Sequence, residues 1–435
     1  MNIVTFILII ATIIEVALAA YSLITKSSQN KIRGWIRIGT FAAFVILSLV
    51  SVIQWGLRWY LLAAVLLILT IVGSISLIRM KSDKKEFKSG RIVFKAIAMW
   101  LVVVIAIMPA LILPQYKLPR VTGKYKVNTA VFTYTDMSRI ETFSESGKNR
   151  DVNIEFWYPA DGHDKYPLVI FSHGAFGIKA SNTSTFMELA SNGYVVCSID
   201  HPYHSLFTKG TDGSTTIVDG TFMQEVNNIE ANIYDEKTEF DITHKWLKLR
   251  TDDISFVLDT IIENTKTGSP GVVYDLIDTG KIGLFGHSLG GAASAQLGRE
   301  RSDIDAVIDI DGSLIGEELD FIDGKHIFNK EIYPLPILFI NTDAMVQAIA
   351  MTESVYPGIE LPEKLIPATN PNAFEVHYKG TNHMSVTDLS LISPFLVSII
   401  CDTFKNNGGA QEADRYYVIE NMNSTILQFF NSYLN

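Results

Sequence analysis

The sequence predicts an α/β fold, a mostly parallel eight-stranded sheet with helices on both faces, preceded by four transmembrane helices. Three observations carry this expectation. Apolar runs of membrane-spanning length crowd residues 1–114; from about residue 121, short apolar runs alternate with helical ones; and one strand-like run turns into a helix through Gly286-His287-Ser288-Leu289-Gly290-Gly291.

Charge separates the two parts. Residues 1–114 hold 12 of the 36 Lys+Arg but only 3 of the 46 Asp+Glu (Glu15, Asp83, Glu86), leaving 24 basic against 43 acidic residues, a formal charge of −19, on the remainder. An acidic domain has little with which to displace phosphate counterions, which argues against a nucleic-acid partner.

The apolar stretches are 3–25, 36–54, 60–78 and 92–114. Each is near the roughly 20 residues that a helix needs to cross the hydrocarbon of a bilayer. Four in succession exceed what a buried core requires, and the first lacks the basic start and small-residue cleavage site of a secretory leader. Trp35, Trp55, Trp59 and Tyr60 stand at their ends, where amphipathic rings favour the membrane–water boundary.

The first loop carries Lys26, Lys31, Arg33 and Arg37, and the third Arg79, Lys81, Lys84, Lys85, Lys88 and Arg91, while Gly56 to Arg58 is nearly bare. Basic loops stay in the cytoplasm, so both termini and the C-terminal domain are expected outside. Lys117, Arg120, Lys124 and Lys126 after the last span work against this orientation, less strongly than the two loops support it. Lys95 lies a turn from the expected cytoplasmic edge and can snorkel there. Glu15, near mid-span, is expected protonated or facing another helix. The stretch from Pro114 to Lys126 is the expected joint, giving a membrane domain at 1–114 and a second domain at 115–435.

In that second domain the strand candidates are 129–135, 152–158, 167–172, 194–199, 281–285, 306–310, 336–341 and 373–379. Runs such as Leu168-Val169-Ile170-Phe171 are apolar on both faces, as strands of a covered parallel sheet must be. Helical candidates are 183–192, 250–264, 289–299 and 386–405. Residues 201–249 read as mostly irregular, an insertion placed to wall or cover a site. Cys197 and Cys401 do not make a disulfide framework.

Ser288 carries the chemistry. Strand, tight turn with serine at its apex, then helix is the setting of a nucleophile elbow, and a serine turn after the fifth of eight strands gives an α/β-hydrolase architecture. A serine hydroxyl needs a base, and the base an orienting acid, in the chain order Ser, Asp/Glu, His. His326 lies in a charged stretch and His377 inside the last strand; His383 stands in the loop Gly380-Thr381-Asn382-His383 just beyond it and is the expected base.

Two aspartates, Asp311 and Asp343, each end a strand at the same edge of the sheet, and Asp309 shares the face of Asp311 but sits deeper; order along the chain does not choose between the first two. Oxyanion donors are expected from the N–H of Leu289 and from Phe171-Ser172-His173-Gly174-Ala175-Phe176-Gly177, at Ala175. His173, His201 and His204 are expected to brace loops, the last two with a possible place on the pocket wall. No Cys/His metal spacing or nucleotide-binding glycine loop occurs, so no cofactor or metal is implied.

At these residues the chain resembles the plasma-type platelet-activating factor acetylhydrolase family of α/β-hydrolases, over roughly 152–400. The resemblance lies in Phe171-Ser172-His173-Gly174, Asp200-His201, Trp246-Leu247-Lys248-Leu249-Arg250, Gly286 through Ala292, Pro336 through Asn341 and Lys379-Gly380-Thr381-Asn382-His383. It implies Asp311 as the acid, Ala175 and Leu289 as oxyanion donors, and calcium-independent hydrolysis of an ester, in that family the short or oxidised acyl chain of a phospholipid. Two departures stand beside it. Gly312-Ser313-Leu314-Ile315-Gly316 lacks the family's aromatic and proline after the acid, and the four-span bundle has no counterpart in the secreted enzyme. Dienelactone-hydrolase-like and polyester-cleaving esterases share much of the pattern, and a general carboxylesterase, a serine peptidase and a non-catalytic membrane protein are the competing readings.

Overall fold

The computed structural model describes residues 3–79, 88–403 and 412–435. They form two compact units, Met1–Lys117 and Leu118–Asn435.

The first unit is helical: α1 (Ile3–Ile24), α2 (Asn30–Leu49), α3 (Tyr60–Ile78) and α4 (Ser89–Ile112). All four, the third with its lead-in from Leu57, are long and apolar enough to cross a bilayer. α1 packs on α4 and α2 on α3. Gly34 and Gly73 let the second pair approach so closely that a Cβ on Gly73 would stand 3.1 Å from the Gly34 carbonyl oxygen. Trp59 departs from its expected boundary position. It is fully buried in the core of the bundle, edge-on to Phe44 at 6.2 Å, because its helix turn faces inward. Trp35, Trp55 and Tyr60 remain exposed. Glu15 faces α2, its carboxylate 3.5 Å from Arg33. Lys81, Lys84 and Lys85 of the third loop, with Asp83 and Glu86, lie outside the described residues.

The second unit is built on an eight-stranded sheet: β1 (Val127–Ile140), β2 (Asn149–Pro159), β3 (Tyr166–Ser172), β4 (Val195–Asp200), β5 (Ile277–His287), β6 (Ala306–Ile310), β7 (Ile337–Thr342) and β8 (Ala373–Tyr378). They lie in the order β1-β2-β4-β3-β5-β6-β7-β8. β1, β2 and β4 pair antiparallel and every later neighbour is parallel. This is the α/β-hydrolase sheet that the apolar runs predict. Every residue of β3, β4, β6 and β7 is buried, as a sheet covered on both faces requires.

The helices depart further from expectation. Residues 201–249 are not mostly irregular: they hold a small ribbon (207–209 with 215–217), α5 (Gly220–Glu230) and the first turns of α6 (Glu236–Thr267). Asp219 and Asp235 cap these helices by accepting the Phe222 and Thr238 N–H groups at 2.9 and 2.7 Å, and Gly268, at φ 65°, ends α6. α7 (Leu289–Glu300) follows the serine turn. The helix expected over 386–405 is two, Leu389–Ile392 and Pro394–Thr403, divided where Pro394 cannot supply an N–H; residues 404 and 405 lie outside the described residues. α8 (Arg415–Leu434), capped by Asp414, packs Val418, Ile419, Met422, Ile426, Phe429 and Phe430 inward.

Candidate active site

Strand register brings the site together. His287 pairs with Ile310, and Ile310 with Ile340, so the residues that leave β5 and β6 lie side by side at the carboxyl edge. The Ser288 N–H donates to the Ile310 carbonyl and the Asp311 N–H to the Ile340 carbonyl, both at 2.8 Å. Ser288 has φ 56° and ψ −126°, a strained conformation for a residue with a side chain. Its small neighbours make the bend possible: a Cβ on Gly286 would stand 2.2 Å from the Gly290 carbonyl carbon, and one on Gly290 2.0 Å from the Ser172 carbonyl oxygen.

Asp311 is buried at 2% exposure and also adopts a positive φ, 54°. Its carboxylate accepts the Thr342 N–H at 2.6 Å, the Thr342 hydroxyl at 2.8 Å and Nδ1–H of His383 at 2.7 Å. Of the two aspartates left open by chain order, Asp311 is therefore the one that meets the imidazole. Asp343 is committed elsewhere, accepting from His377 Nε2 at 2.7 Å and from the Gly380 N–H at 2.8 Å. His326 lies in a peripheral ribbon against Glu318. Asp309 accepts the Gly312 N–H through one oxygen, and burial, then Glu363 and Asp311, push its pKa well up, so it sits in the core apart from the imidazole.

His287, assigned no role from the sequence, ties Ser288 to the base. Its Nε2–H donates to the His383 carbonyl at 3.0 Å, and the two rings lie 4.6 Å apart. Burial, then the nearby His383, lowers its pKa to about 3, so it is neutral. The variable position of the G-x-S-x-G turn was the only signal for it.

The loop after β3 lies against the serine: a Cβ on Gly174 would be 3.0 Å from Ser288 Cβ. Phe176 N–H donates to the His204 carbonyl and Gly177 N–H to the Gly174 carbonyl. Among the described residues, no backbone hydrogen bond of this loop uses the Ala175 N–H. Leu289 opens α7, where an N–H has no helical acceptor. Phe222 and Val226 of α5 and Trp246 of α6 bury against Leu289, with Ala175 and Phe176 packed on them, so 201–249 forms an apolar wall beside both expected oxyanion donors.

A buried polar network holds this loop; Arg250 marked the family resemblance but was given no role from the sequence, and Arg150 and Asp253 were not singled out. Fully buried, the Arg250 guanidinium donates to the His173 carbonyl at 2.7 Å and the Gly174 carbonyl at 3.3 Å. His173 donates from Nδ1 to the Gly174 carbonyl at 2.6 Å; His201 lies between Ser172 Oγ at 2.9 Å and Asp253 at 3.0 Å. Burial, then Arg250, lowers the pKa of His173, His201 and His204, three buried rings that brace the loop, His204 stacked on Phe222. Although burial opposes its ionisation, Asp253 is held well below the usual carboxylate range by Arg150, which contacts it at 2.8 Å.

A family model described as platelet-activating factor acetylhydrolase, isoform II, matches residues 148–435. The platelet-activating factor acetylhydrolase of Bos taurus is 23% identical over 298 residues, covering 56% of this chain and 64% of its own length. That of Gallus gallus is 24% identical over 287 residues, covering 62% and 63%. The chain thus spans a little under two thirds of these relatives. Among solved structures it is similar to a ferulic acid esterase from Streptomyces cinnamoneus, at 18% identity and TM-score 0.49, covering 73% of this chain and 92% of the other. With well over half of its length matched by the family model, the chain belongs to the platelet-activating factor acetylhydrolase family of α/β-hydrolases.

Proposed function

We propose that this chain is a membrane-anchored serine hydrolase that cleaves carboxylic esters, with short-chain or oxidised phospholipids as its substrate class. The observation that carries the reading is the 2.7 Å hydrogen bond from His383 to the buried Asp311 carboxylate, at the sheet edge where Ser288 leaves β5. In this reading His383 Nε2 accepts the Ser288 proton as Oγ attacks the ester carbonyl, and Asp311 stabilises the imidazolium that forms. The Ala175 and Leu289 N–H groups receive the oxyanion. Collapse of the tetrahedral intermediate expels the alcohol, which takes the proton from His383, and water then releases the acyl group by the same steps. Family membership supports the ester class, and the names of the relatives support the phospholipid. Four membrane-length helices support anchoring, and the basic loops support an extracytoplasmic second unit.

The test uses the full chain in dodecyl maltoside. Wild type is expected to react with a fluorophosphonate probe and to cleave p-nitrophenyl acetate and a short-chain phosphatidylcholine, and Ser288→Ala to do neither. Equal labelling of Ser288→Ala would overturn the reading. Turnover of the nitrophenyl ester without the phospholipid would narrow it to a general esterase.

A further inference from the structure

The helical unit contains a cavity of about 430 Å³ that none of the ester chemistry uses. Arg33 and Arg37 of α2 and Lys95 of α4 line it, with Ser76 of α3 and the apolar Phe94 and Met99. Among the described residues, the carboxylate beside these cations is Glu15 of α1, 3.5 Å from Arg33. Arg33 and Arg37 thus face one carboxylate among the described residues in an apolar bundle, where unbalanced charge is costly. Arg33 keeps only 12% of its side chain exposed, and its Nη2 has no hydrogen-bond partner among the described residues.

Depth narrows the ligand. Arg33 and Arg37 lie three and seven residues from the start of α2, and Lys95 six from the start of α4. At 1.5 Å per residue these positions are roughly 5–10 Å inside the helix ends, near the boundary between headgroups and acyl chains. Ser76 stands two residues from the end of α3, so the cavity lies toward the end of the bundle that carries the basic loops. A guanidinium suits phosphoryl oxygens through paired N–H donors, and an ammonium adds a point charge from the facing helix. The apolar side of the cavity can take the hydrocarbon that such a headgroup carries.

We propose that this cavity binds a phosphate-ester anion, Arg33 and Arg37 donating to its oxygens and Lys95 closing the site from α4. The inference rests on the reading that the four helices span a membrane. Its test uses the full chain in dodecyl maltoside, which carries no phosphate, with dioleoylphosphatidylglycerol, glycerol 3-phosphate or dioleoylglycerol added. Native mass spectrometry is expected to show retained phosphatidylglycerol, with a raised unfolding midpoint. Arg37→Gln and Lys95→Gln should each weaken retention about tenfold, the loss of one charge-assisted contact, with p-nitrophenyl acetate turnover unchanged. Arg33 is left in place because it faces Glu15. Displacement of the lipid by glycerol 3-phosphate would identify a free phosphate ester as the ligand, and no displacement a lipid headgroup; either supports the proposal. Equal retention of dioleoylglycerol, or unchanged lipid binding in the Arg37→Gln/Lys95→Gln double variant, overturns it. Alkaline carbonate extraction of membranes separates the two readings: a chain that is released defeats the membrane reading, and one that stays embedded yet retains no phosphate ester defeats the cavity proposal alone.

Discussion

At Asp311 the backbone takes φ 54°, a conformation that costs roughly 1–3 kcal/mol for a residue with a Cβ. Two donors from Thr342 and one from His383 converge on its carboxylate and hold it there. Asp311→Asn should keep the fold but disturb the imidazole tautomer, lowering kcat by about 10³–10⁴. Asp343→Asn, which loosens only the His377 and Gly380 contacts, should stay within a few-fold of wild type. Steady-state kinetics on p-nitrophenyl acetate compare the two, and an inactive Asp343→Asn beside an active Asp311→Asn would reverse the assignment. His383 was legible in the sequence because one histidine stands in the loop beyond the last strand. Chain order did not choose the aspartate, since both candidates end strands; the family resemblance pointed to Asp311, and strand register sets its carboxylate against His383. Four histidines, His173, His201, His204 and His287, are buried with lowered pKa, so below about pH 6.5 the unfolded chain takes up protons that the folded one refuses. Six carboxyls outside the membrane-length helices, Glu155, Asp200, Glu239, Asp309, Glu363 and Asp388, are raised by burial, the last to about 6, and act in the opposite sense. The two sets oppose each other, and the contribution of one ring is read from a variant that lacks it. Each net proton contributes up to about 1.4 kcal/mol per pH unit. Between pH 7.5 and 5.5, His287→Asn should lose less stability on acidification than wild type, by about one proton; an unchanged profile would mean that this ring is charged in the folded protein.

Among the elements, α6 connects packing to chemistry. Its apolar residues were read as beginning near Arg250, whereas the helix starts at Glu236. The first turns escaped notice because Ile242 and Trp246 pack on a local wall and not on the main core, which breaks the stripe of a simple amphipathic helix. Asp235 was the readable signal, as a helix cap. α8 was missed for another reason. Its inward residues recur at helical spacing from Val418 to Phe430, a pattern present in the sequence but outside the span covered by the resemblance. On α6, Arg250 reaches the His173 and Gly174 carbonyls and so sets the position of the Ala175 N–H. Arg250→Lys preserves the charge but cannot supply two forked donors. It is expected to lower kcat by about 10², the scale of one misplaced oxyanion donor, with KM little changed. An equal loss in kcat and in unfolding midpoint for Arg250→Lys and Arg250→Met would show a purely structural role.

For the whole molecule, the two units carry opposite electrostatic characters, a basic helical one and an acidic one with a formal charge of −19 beyond residue 114. The helices were legible because an unbroken apolar run of about 20 residues has few other uses in a protein. The charge pattern predicts an orientation: Lys26, Lys31, Arg33 and Arg37 cluster where α1 gives way to α2, and six basic residues from Arg79 to Arg91 where α3 gives way to α4, against a nearly bare Gly56 to Arg58 before α3. Positive charge near a span resists transfer across the membrane, so both basic loops should remain cytoplasmic and residues 118–435 should lie outside. Lys117, Arg120, Lys124 and Lys126 oppose this, but they are fewer and all adjoin one span. Proteinase K added to intact spheroplasts should remove an epitope tag at Asn435 and abolish ester hydrolysis, while a cytoplasmic marker survives. Replacing Lys26, Lys31, Lys84 and Lys85 with Gln should weaken that bias and leave a fraction of molecules with the tag protected. A tag protected in wild type until lysis would put the hydrolase domain in the cytoplasm, and its substrate in the inner leaflet.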